Sequence, residues 1–253
     1  MSSTTPNQMS TIGCRDGLFL SDLHLFCPRH EARKAAKKQV KEYRNSHNCV
    51  ILGGDIFDFR WSDLGGLEAS LQAAKQWVEE FLDSTESSKV VYLLGNHDCH
   101  PAHVENMRDL AQQSARFEVH EHHIQIQDCL FLHGDILDAQ LRIEHLSSYR
   151  STFHEAEPRA EWQQRAYNLA VTCRMHKVLV GVRNSPQQTC KRLKKAIDDS
   201  SLAEPGSVKR VYFGHTHHYC SGTEVDGVQF FNPGAQLKHL TFNAHQFELD
   251  TAE

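Results

Sequence analysis

Short, continuous apolar runs recur along the chain, and several of them lead directly into polar residues. Five such runs are followed at once by aspartate, asparagine or histidine: residues 18–20, 50–52, 90–94, 130–132 and 211–213. Runs of this kind predict strands buried on both faces, as in parallel sheets covered by helices. If the strands share a sheet and point the same way, these polar side chains converge on one edge, where open α/β folds bind ligands.

The spacing of apolar residues changes around the first three strands and predicts helices there. The predicted helices are residues 28–46, 67–82 and 103–113. In the second of them, apolar residues recur every three or four positions, which indicates a helix with one buried face. The alternation of strands and helices predicts a parallel, right-handed β-α-β core.

From residue 116 onward the pattern shifts to strands without helices between them. Residues 117–119, 124–126 and 129–132 are therefore predicted as antiparallel strands. After a helical stretch, the end of the chain predicts more strands, at residues 208–213, 222–225, 228–231 and 240–249. The whole pattern favours an α/β fold in which two sheets pack face to face with helices outside.

Composition and charge narrow the class of protein. The 253 residues, 40% of them hydrophobic, suffice for one sizeable domain, expected over residues 16–253 behind a disordered, Ser/Thr-rich tail at residues 1–15. The formal net charge of −5 disfavours a general nucleic-acid binder, so no nucleic acid is expected as a partner. No apolar run approaches the ~20 residues of a membrane span, and the first residues lack the pattern of a signal peptide, so we expect a cytoplasmic protein.

The polar residues that follow the strands form a set of hard oxygens and imidazoles. The set is Asp22, His24, Asp55, Asn96, His133, His215 and His217. One metal ion takes about four to six ligands, so seven suit two ions that share one, and the lack of cysteine disfavours a structural zinc site. The mixed set suits two divalent ions, with Mn²⁺ as the first expectation and Fe²⁺ or Zn²⁺ as alternatives. Two such ions ~3.5–4 Å apart acidify a bridging water and hold a phosphoryl oxygen during in-line attack.

These residues resemble the ordered signature of the calcineurin-like metallophosphoesterases. The matching motifs are Asp22-x-His24, Gly54-Asp55 with Asp58, Gly95-Asn96-His97-Asp98, His133 and Gly214-His215-Thr216-His217. The resemblance extends from about residue 18 to residue 235. It implies a four-layer αββα sandwich with a helical lid insertion. It also implies a dinuclear site that hydrolyses a phosphoester or phosphoanhydride bond by metal-activated hydroxide.

The resemblance also implies roles for individual residues. One metal would be held by Asp22, His24 and His217, and the other by Asn96, His133 and His215, with Asp55 as the bridge. His97 would stabilise or protonate the leaving oxygen, and Asp98 would orient its ring. Asp58 and Asp135 are expected to orient ligands or to cap the backbone. Asn232 is a candidate substrate contact, because the family often places such a turn beside the site, although Asn-Pro-Gly is also a turn signal by itself.

A long insertion between His133 and Gly214 predicts a helical lid at about residues 137–200. Residues 162–195 contain no Asp or Glu, and basic residues alternate there with apolar ones. The candidate substrate-binding residues are Arg174, Lys177 and Arg183. Basic and apolar residues together favour a small anionic, phosphate-containing substrate, including a lipid-linked one, and peripheral contact of the lid with the inner membrane. The ordinary alternative is a basic surface patch that packs by its apolar side.

Within the family, the layout is most similar to the UDP-2,3-diacylglucosamine diphosphatases of lipid A biosynthesis, which carry a helical lid at the corresponding place. Those enzymes have Arg after the motif Asn, where this chain has His97, and residues 55–61 only approximate their version. A UDP-2,3-diacylglucosamine-like substrate is therefore one hypothesis. A phosphodiesterase or nucleotide phosphatase acting on another substrate, and a non-catalytic scaffold, remain as alternatives.

Overall fold

The computed structural model describes residues 14–27, 48–85, 88–154, 163, 185–200 and 202–249. In these ranges ten strands form two five-stranded sheets. The first sheet contains, in spatial order, β10 (His245–Glu248), β1 (Asp16–Leu20), β2 (Cys49–Gly53), β3 (Lys89–Leu93) and β4 (Phe117–His120). The second contains β5 (His123–Ile126), β6 (Cys129–Leu132), β7 (Arg210–Tyr212), β9 (Val228–Asn232) and β8 (Cys220–Val225).

Helices accompany both sheets. They are α1 (Leu67–Ser84), α2 (Pro101–Gln113), α3 (Ile143–Ser151) and α4 (Pro186–Asp199), with a short 3-10 helix at Asp135–Leu137. The N-terminus of helix α2 is stabilised locally, because a proline occupies its first turn and the His100 ring accepts the N–H of Ala102. The predicted helix at residues 28–46 lies outside the described residues.

The strand directions confirm the parallel core and correct one prediction. Strands β1 to β4 run parallel in the first sheet, while β10 pairs with β1 in the antiparallel sense. We predicted an antiparallel strand at residues 117–119, which was wrong. Helix α2 lies between β3 and β4 and returns the chain to its starting end, so β4 extends the parallel order.

Side chains alternate along each strand, so each sheet buries apolar residues on both of its faces. Phe19 and Phe131 come from different sheets, and their ring centroids lie 5.9 Å apart in the space between the sheets. Leu18 and Leu20 point the other way, into the cluster that includes residues of α1 and α2. Residues of α4 pack on the outer face of the second sheet in the same manner. The predicted arrangement of two sheets flanked by helices is therefore confirmed.

The stacked sheets bring the ends of strands from both sheets to one shared edge. The five apolar runs that lead into candidate ligands do not share one sheet. Three of them belong to the first sheet and two to the second. Backbone hydrogen bonds join the loops that follow them, including Asp22 N–H to Gly54 O (3.0 Å) and Gly214 N–H to His133 O (2.7 Å). The convergence therefore depends on sheet stacking as well as on strand direction.

Of the predicted lid, the structure describes residues 137–154, 163 and 185–200. Helix α3 lies in the first of these ranges, and α4, which we assigned to the lid, packs as an outer layer of the second sheet. The three basic residues proposed for substrate binding, Arg174, Lys177 and Arg183, lie outside the described residues. Across the parts of the chain that the structure describes, no helix is long and apolar enough to span a bilayer.

Candidate active site

The loops at the shared edge have an unusual backbone. Five of the seven candidate ligands have φ in the left-handed region: Asp22 (55°), His24 (46°), Asp55 (52°), His215 (66°) and His217 (58°). Residues other than glycine rarely adopt this conformation, and each instance costs of order 1 kcal/mol or more. Such strain persists only where the surrounding structure enforces it, and it concentrates at functional sites.

The first cluster of candidate ligands contains Asp22, His24 and His217. The Nε2 atoms of the two histidines lie 3.0 Å apart, and Nε2 of His217 lies 3.2 Å from Oδ1 of Asp22. Nδ1 of His24 faces Asp58 Oδ2 at 3.5 Å, so a proton on Nδ1 leaves the Nε2 lone pair available. Burial lowers the pKa of His24, which favours the neutral ring. Three electron-pair donors around one point suit a cation.

The second cluster contains Asn96, His133 and Asp55. Nδ1 of His133 lies 3.0 Å from the carbonyl oxygen of Gly53, which fixes the proton on Nδ1. Its Nε2 then faces two acceptors, Asn96 Oδ1 and Asp55 Oδ2, each at 3.3 Å. Burial alone would lower the pKa of His133, but Asp55, aided by nearby acids, raises it to about 10. A divalent cation would instead accept electron pairs from His133 Nε2, Asn96 Oδ1 and Asp55 Oδ2, and His133 would then carry no proton on Nε2.

His215 completes the second cluster. One of its ring nitrogens lies within 4.8 Å of ligand atoms of Asp55 and His133. Nε2 of His215 is 3.0 Å from Oδ2 of Asp138, which leaves Nδ1 as the nitrogen for the cluster. Asp138 was not among the predicted site residues, because nothing in its local sequence marks it. Its position in the fold alone gives it this role.

Asp55 belongs to the second cluster and is also influenced by a charge of the first. Its Oδ1 accepts the backbone N–H of His97 at 2.8 Å, and its Oδ2 faces His133. Burial alone would raise the pKa of Asp55, but His133, His97 and His24 hold it well below its usual range. His24 belongs to the first cluster and His133 to the second, so the Asp55 carboxylate is in the field of both.

Two glycines make this close arrangement sterically feasible. A β-carbon on Gly95 would collide with the carboxylate of Asp55, and one on Gly214 would collide with that of Asp22. Substituting either residue would therefore displace a candidate ligand. Close packing therefore explains why the motifs Gly-Asn-His-Asp and Gly-His-Thr-His each begin with glycine.

The acid that faces His97 is Asp58, which corrects the expected role of Asp98. Nδ1 of His97 lies 3.2 Å from Oδ1 of Asp58. Burial alone would lower the pKa of His97, but Asp58 and Asp55 raise it to about 9. Asp58 therefore contacts both His24 and His97, and it takes the orienting function that we expected of Asp98.

Asp98 instead holds the backbone beneath the site. Its carboxylate accepts N–H groups from Gly95 (2.7 Å) and Ile56 (2.8 Å), together with the hydroxyl of Tyr92 (2.8 Å). These contacts use both oxygens and join the loop after β3 to the loop after β2. The local sequence Asn-His-Asp suggested a pair of neighbours, but three-dimensional contacts outweigh adjacency in the chain.

Asn232 has a structural role, which contradicts its proposed contact with substrate. The residue is 0% exposed. Its Nδ2 donates to the carbonyl oxygen of Gly214 (2.9 Å), and its Oδ1 accepts the N–H of Gly234 (2.8 Å). The amide thus ties the end of β9 to the loop that carries His215 and His217. The turn signal in the sequence was the better guide.

An arginine missed by the sequence analysis links two loops of the site. Arg150 of α3 is buried and donates to both carboxylate oxygens of Asp135, at 2.7 and 2.9 Å. It also donates to the carbonyl oxygens of Leu94 (2.7 Å) and Glu121. Leu94 directly precedes Gly95-Asn96, and Asp135 follows His133 by two residues. A lone Arg in a polar helix gives no sequence signal for such burial.

Comparisons with known families and structures cover most of the chain. A profile of the calcineurin-like phosphoesterase family matches residues 18–219. Among solved structures, the chain is similar to a dimetal phosphatase from Danio rerio, with 14% sequence identity, a TM-score of 0.45 and 88% of each chain covered. The curated proteins contain no match. The matched span of the family profile includes all seven candidate ligands and His97.

Proposed function

Because the chain belongs to the calcineurin-like phosphoesterase family, and is therefore a metal-dependent hydrolase, we propose that its two ligand clusters form one dinuclear centre. The observation that carries the proposal is the convergence of imidazole nitrogens and carboxylate oxygens on two points, with Asp55 at one of them and in the electrostatic field of both. The clusters therefore fit divalent ions, of which Mn²⁺ is our proposal.

Each cluster would hold one ion. Asp22, His24 and His217 would hold the first, and Asn96, His133 and His215 the second, with Asp55 shared between them. Two bound ions would lower the pKa of a shared water and polarise the phosphoryl oxygen. The chain itself keeps the ligands in place through the strained loops and the contacts of Asp58, Asp98 and Asp138.

His97 would act on the leaving oxygen. Its Nδ1 faces Asp58, so Nε2 is the ring nitrogen left to deliver a proton to a bound substrate. The contact of Asp58 with His97 also restricts ring rotation. The backbone N–H of His97 donates to Asp55, and this hydrogen bond keeps His97, the proposed general acid, at a set distance from the centre.

Metal analysis combined with turnover tests this function. Purified protein should contain up to two divalent ions per chain and should hydrolyse bis-p-nitrophenyl phosphate, with activity lost on chelation and restored by Mn²⁺. Asp128→Asn, which removes an acid from a partly exposed pair with Arg210, serves as a control that should keep both metals. Protein without metal after reconstitution, or with two metals and no turnover of any phosphoester, would favour the scaffold alternative.

The substrate proposal rests on the lid sequence. The acid-free run at residues 162–195 supports an anionic, amphiphilic substrate such as a UDP-2,3-diacylglucosamine-like molecule. Nucleoside-diphosphate sugars with and without acyl chains should be screened, and product masses should show which bond breaks. Replacing Arg174, Lys177 and Arg183 by Ala should raise KM for the true substrate and leave turnover of the aryl phosphodiester within a fewfold. Equal losses on both substrates would assign the lid a folding role only.

A further inference from the structure

A chain of buried hydrogen bonds runs from helix α2 to the loops of the proposed centre. Its members are His103 of α2, Tyr92 of β3 and Asp98, and all three are 0% exposed. The Tyr92 hydroxyl lies 3.2 Å from Nε2 of His103 and 2.8 Å from Oδ2 of Asp98. Tyr92 is therefore the link between the helix and the carboxylate beneath the site.

The protonation of the three side chains gives the chain a direction. Burial and the neighbouring Asp98 raise the pKa of Tyr92 well above its ordinary value, so the hydroxyl keeps its proton and donates a hydrogen bond to Asp98. Burial lowers the pKa of His103 to about 3, so its ring is neutral and carries one proton. Among the described residues, Nδ1 of His103 has no hydrogen-bond partner, which assigns that proton to Nε2, where the Tyr92 oxygen accepts it.

The Asp98 carboxylate receives its other hydrogen bonds from the backbone of two different loops. Within the described ranges, Oδ1 accepts the N–H of Gly95 (2.7 Å) and Oδ2 accepts the N–H of Ile56 (2.8 Å). The orientation of this carboxylate therefore sets the spacing between the two loops. Tyr92 is the side chain that fixes the orientation, because its hydroxyl donates to the same oxygen as Ile56.

These two loops carry candidate ligands of the second cluster. Asp55 directly precedes Ile56, and Asn96 directly follows Gly95. Both side chains face Nε2 of His133, each at 3.3 Å. Metal ligands must be held within about 0.5 Å of their productive positions, so a small shift of one loop against the other would weaken the second cluster.

Aromatic packing holds the rings of the chain in place. The His103 ring contacts Phe57 and Phe59, with centroids 5.4 and 5.1 Å apart and planes at 75° and 63°. The Tyr92 ring meets Phe117 edge to face, at 6.4 Å and 79°. Rings fixed in this way keep the Tyr92 hydroxyl aimed at Asp98, which is how surrounding residues preorganise a site.

We propose that Tyr92 is a positioning residue for the dinuclear centre. Its hydroxyl, oriented by His103, fixes the Asp98 carboxylate so that Asp55 and Asn96 meet at the distance that the second ion requires. The inference rests on the proposed function, since it concerns the geometry of that centre. Tyr92 itself touches neither an ion nor the substrate.

Mn²⁺ titration calorimetry of the metal-free protein tests the proposal with Tyr92→Phe, which removes only the hydroxyl. One of the two binding steps should weaken about 10- to 100-fold, as is usual when a group that orients metal ligands is lost. The other step should change by less than about threefold, because the first cluster has no contact with Asp98 among the described residues. At saturating Mn²⁺, kcat for bis-p-nitrophenyl phosphate should return to within a fewfold of wild type.

Tyr212→Phe is the matched control. Tyr212 is also buried, but its hydroxyl bonds to Arg210 at the start of β7, away from the loops of the centre. This variant should bind both ions as wild type does. Two changes at His103 provide a second test: His103→Phe should weaken the same step about threefold, and His103→Gln, which can present an N–H near the position of Nε2, should restore it.

The outcomes separate the two proposals. If Tyr92→Phe binds both ions as wild type does, weakens both steps equally, or matches Tyr212→Phe, the positioning role is wrong while the centre stands. If Tyr92→Phe does not fold, the two His103 variants decide, and equal metal binding by both would overturn the role. If wild type binds fewer than two ions, the proposed centre fails, and the positioning role fails with it.

Discussion

Removal of the Arg150 side chain should destabilise the protein strongly. Only 4% of the residue is exposed, and it donates to both oxygens of Asp135 and to the carbonyl oxygens of Leu94 and Glu121. Arg150→Ala would take these donors from a buried carboxylate and two backbone oxygens. Breaking a buried ion pair by removing one partner costs about 3–5 kcal/mol. For a chain of this size, that loss lowers Tm by about 10 °C.

Urea and thermal unfolding of the metal-free protein should measure this loss, since bound metal would add its own stabilisation. Arg142→Ala provides the control, because Arg142 precedes the same helix and pairs with Glu144 where both side chains are more than half exposed. The control should lose less than about 1 kcal/mol. Arg150→Lys keeps the charge without the bidentate contact, and its loss of stability should lie between those of the other two variants.

Metal titration extends the prediction to the site. Arg150 joins the loop that precedes Asn96 to the loop that follows His133, so Arg150→Lys should weaken metal binding although it removes no candidate ligand. If Arg150→Ala loses no more stability than Arg142→Ala, the buried pair does not carry the energy assigned to it. If Arg150→Lys binds metal as wild type does, the pair stabilises the fold without positioning the ligands.

Three further predictions concern the site and its support. Asp55→Ala should abolish turnover and lower metal content to one ion or none, and an active variant with two metals would contradict the shared role of Asp55. His97→Ala should retain two metals and lose about 10²–10⁴ in kcat, less with leaving groups that need no proton, and an equal defect for all leaving groups would argue against an acid. Burial lowers the pKa of His103 to about 3, whereas an unfolded histidine titrates near 6.5, so the unfolded state binds the proton first as pH falls. The contribution of His103 to the stability of the metal-free protein should therefore be fully present above pH 6.5 and should fall by a few kcal/mol toward pH 3, and His103→Leu should flatten this part of the acid-unfolding curve.

The order and chemistry of the strand ends could be predicted from local sequence alone. Apolar runs such as residues 90–94 indicate burial, and an abrupt change to polar residues indicates where a strand stops. The helices at Leu67–Ser84 and Pro101–Gln113 confirm the helices predicted at residues 67–82 and 103–113, the first of which was predicted from apolar residues at helical spacing. These features depend on neighbours within a few positions along the chain. The α/β class followed from them, whereas the convergence of the candidate ligands also required the stacking of the two sheets.

Contacts between distant parts of the chain decided the rest. Asp98 is adjacent to His97 in sequence, yet Asp58 from another loop faces its ring, because Asp98 is engaged by Tyr92 and two backbone N–H groups. Likewise, Asn232 was predicted to contact substrate, but packing buried it completely. The pairing of Arg150 with Asp135 also has no local signature. Local sequence specifies where apolar and polar groups occur, whereas their partners depend on how sheets and helices stack, and only the tertiary structure determines that stacking.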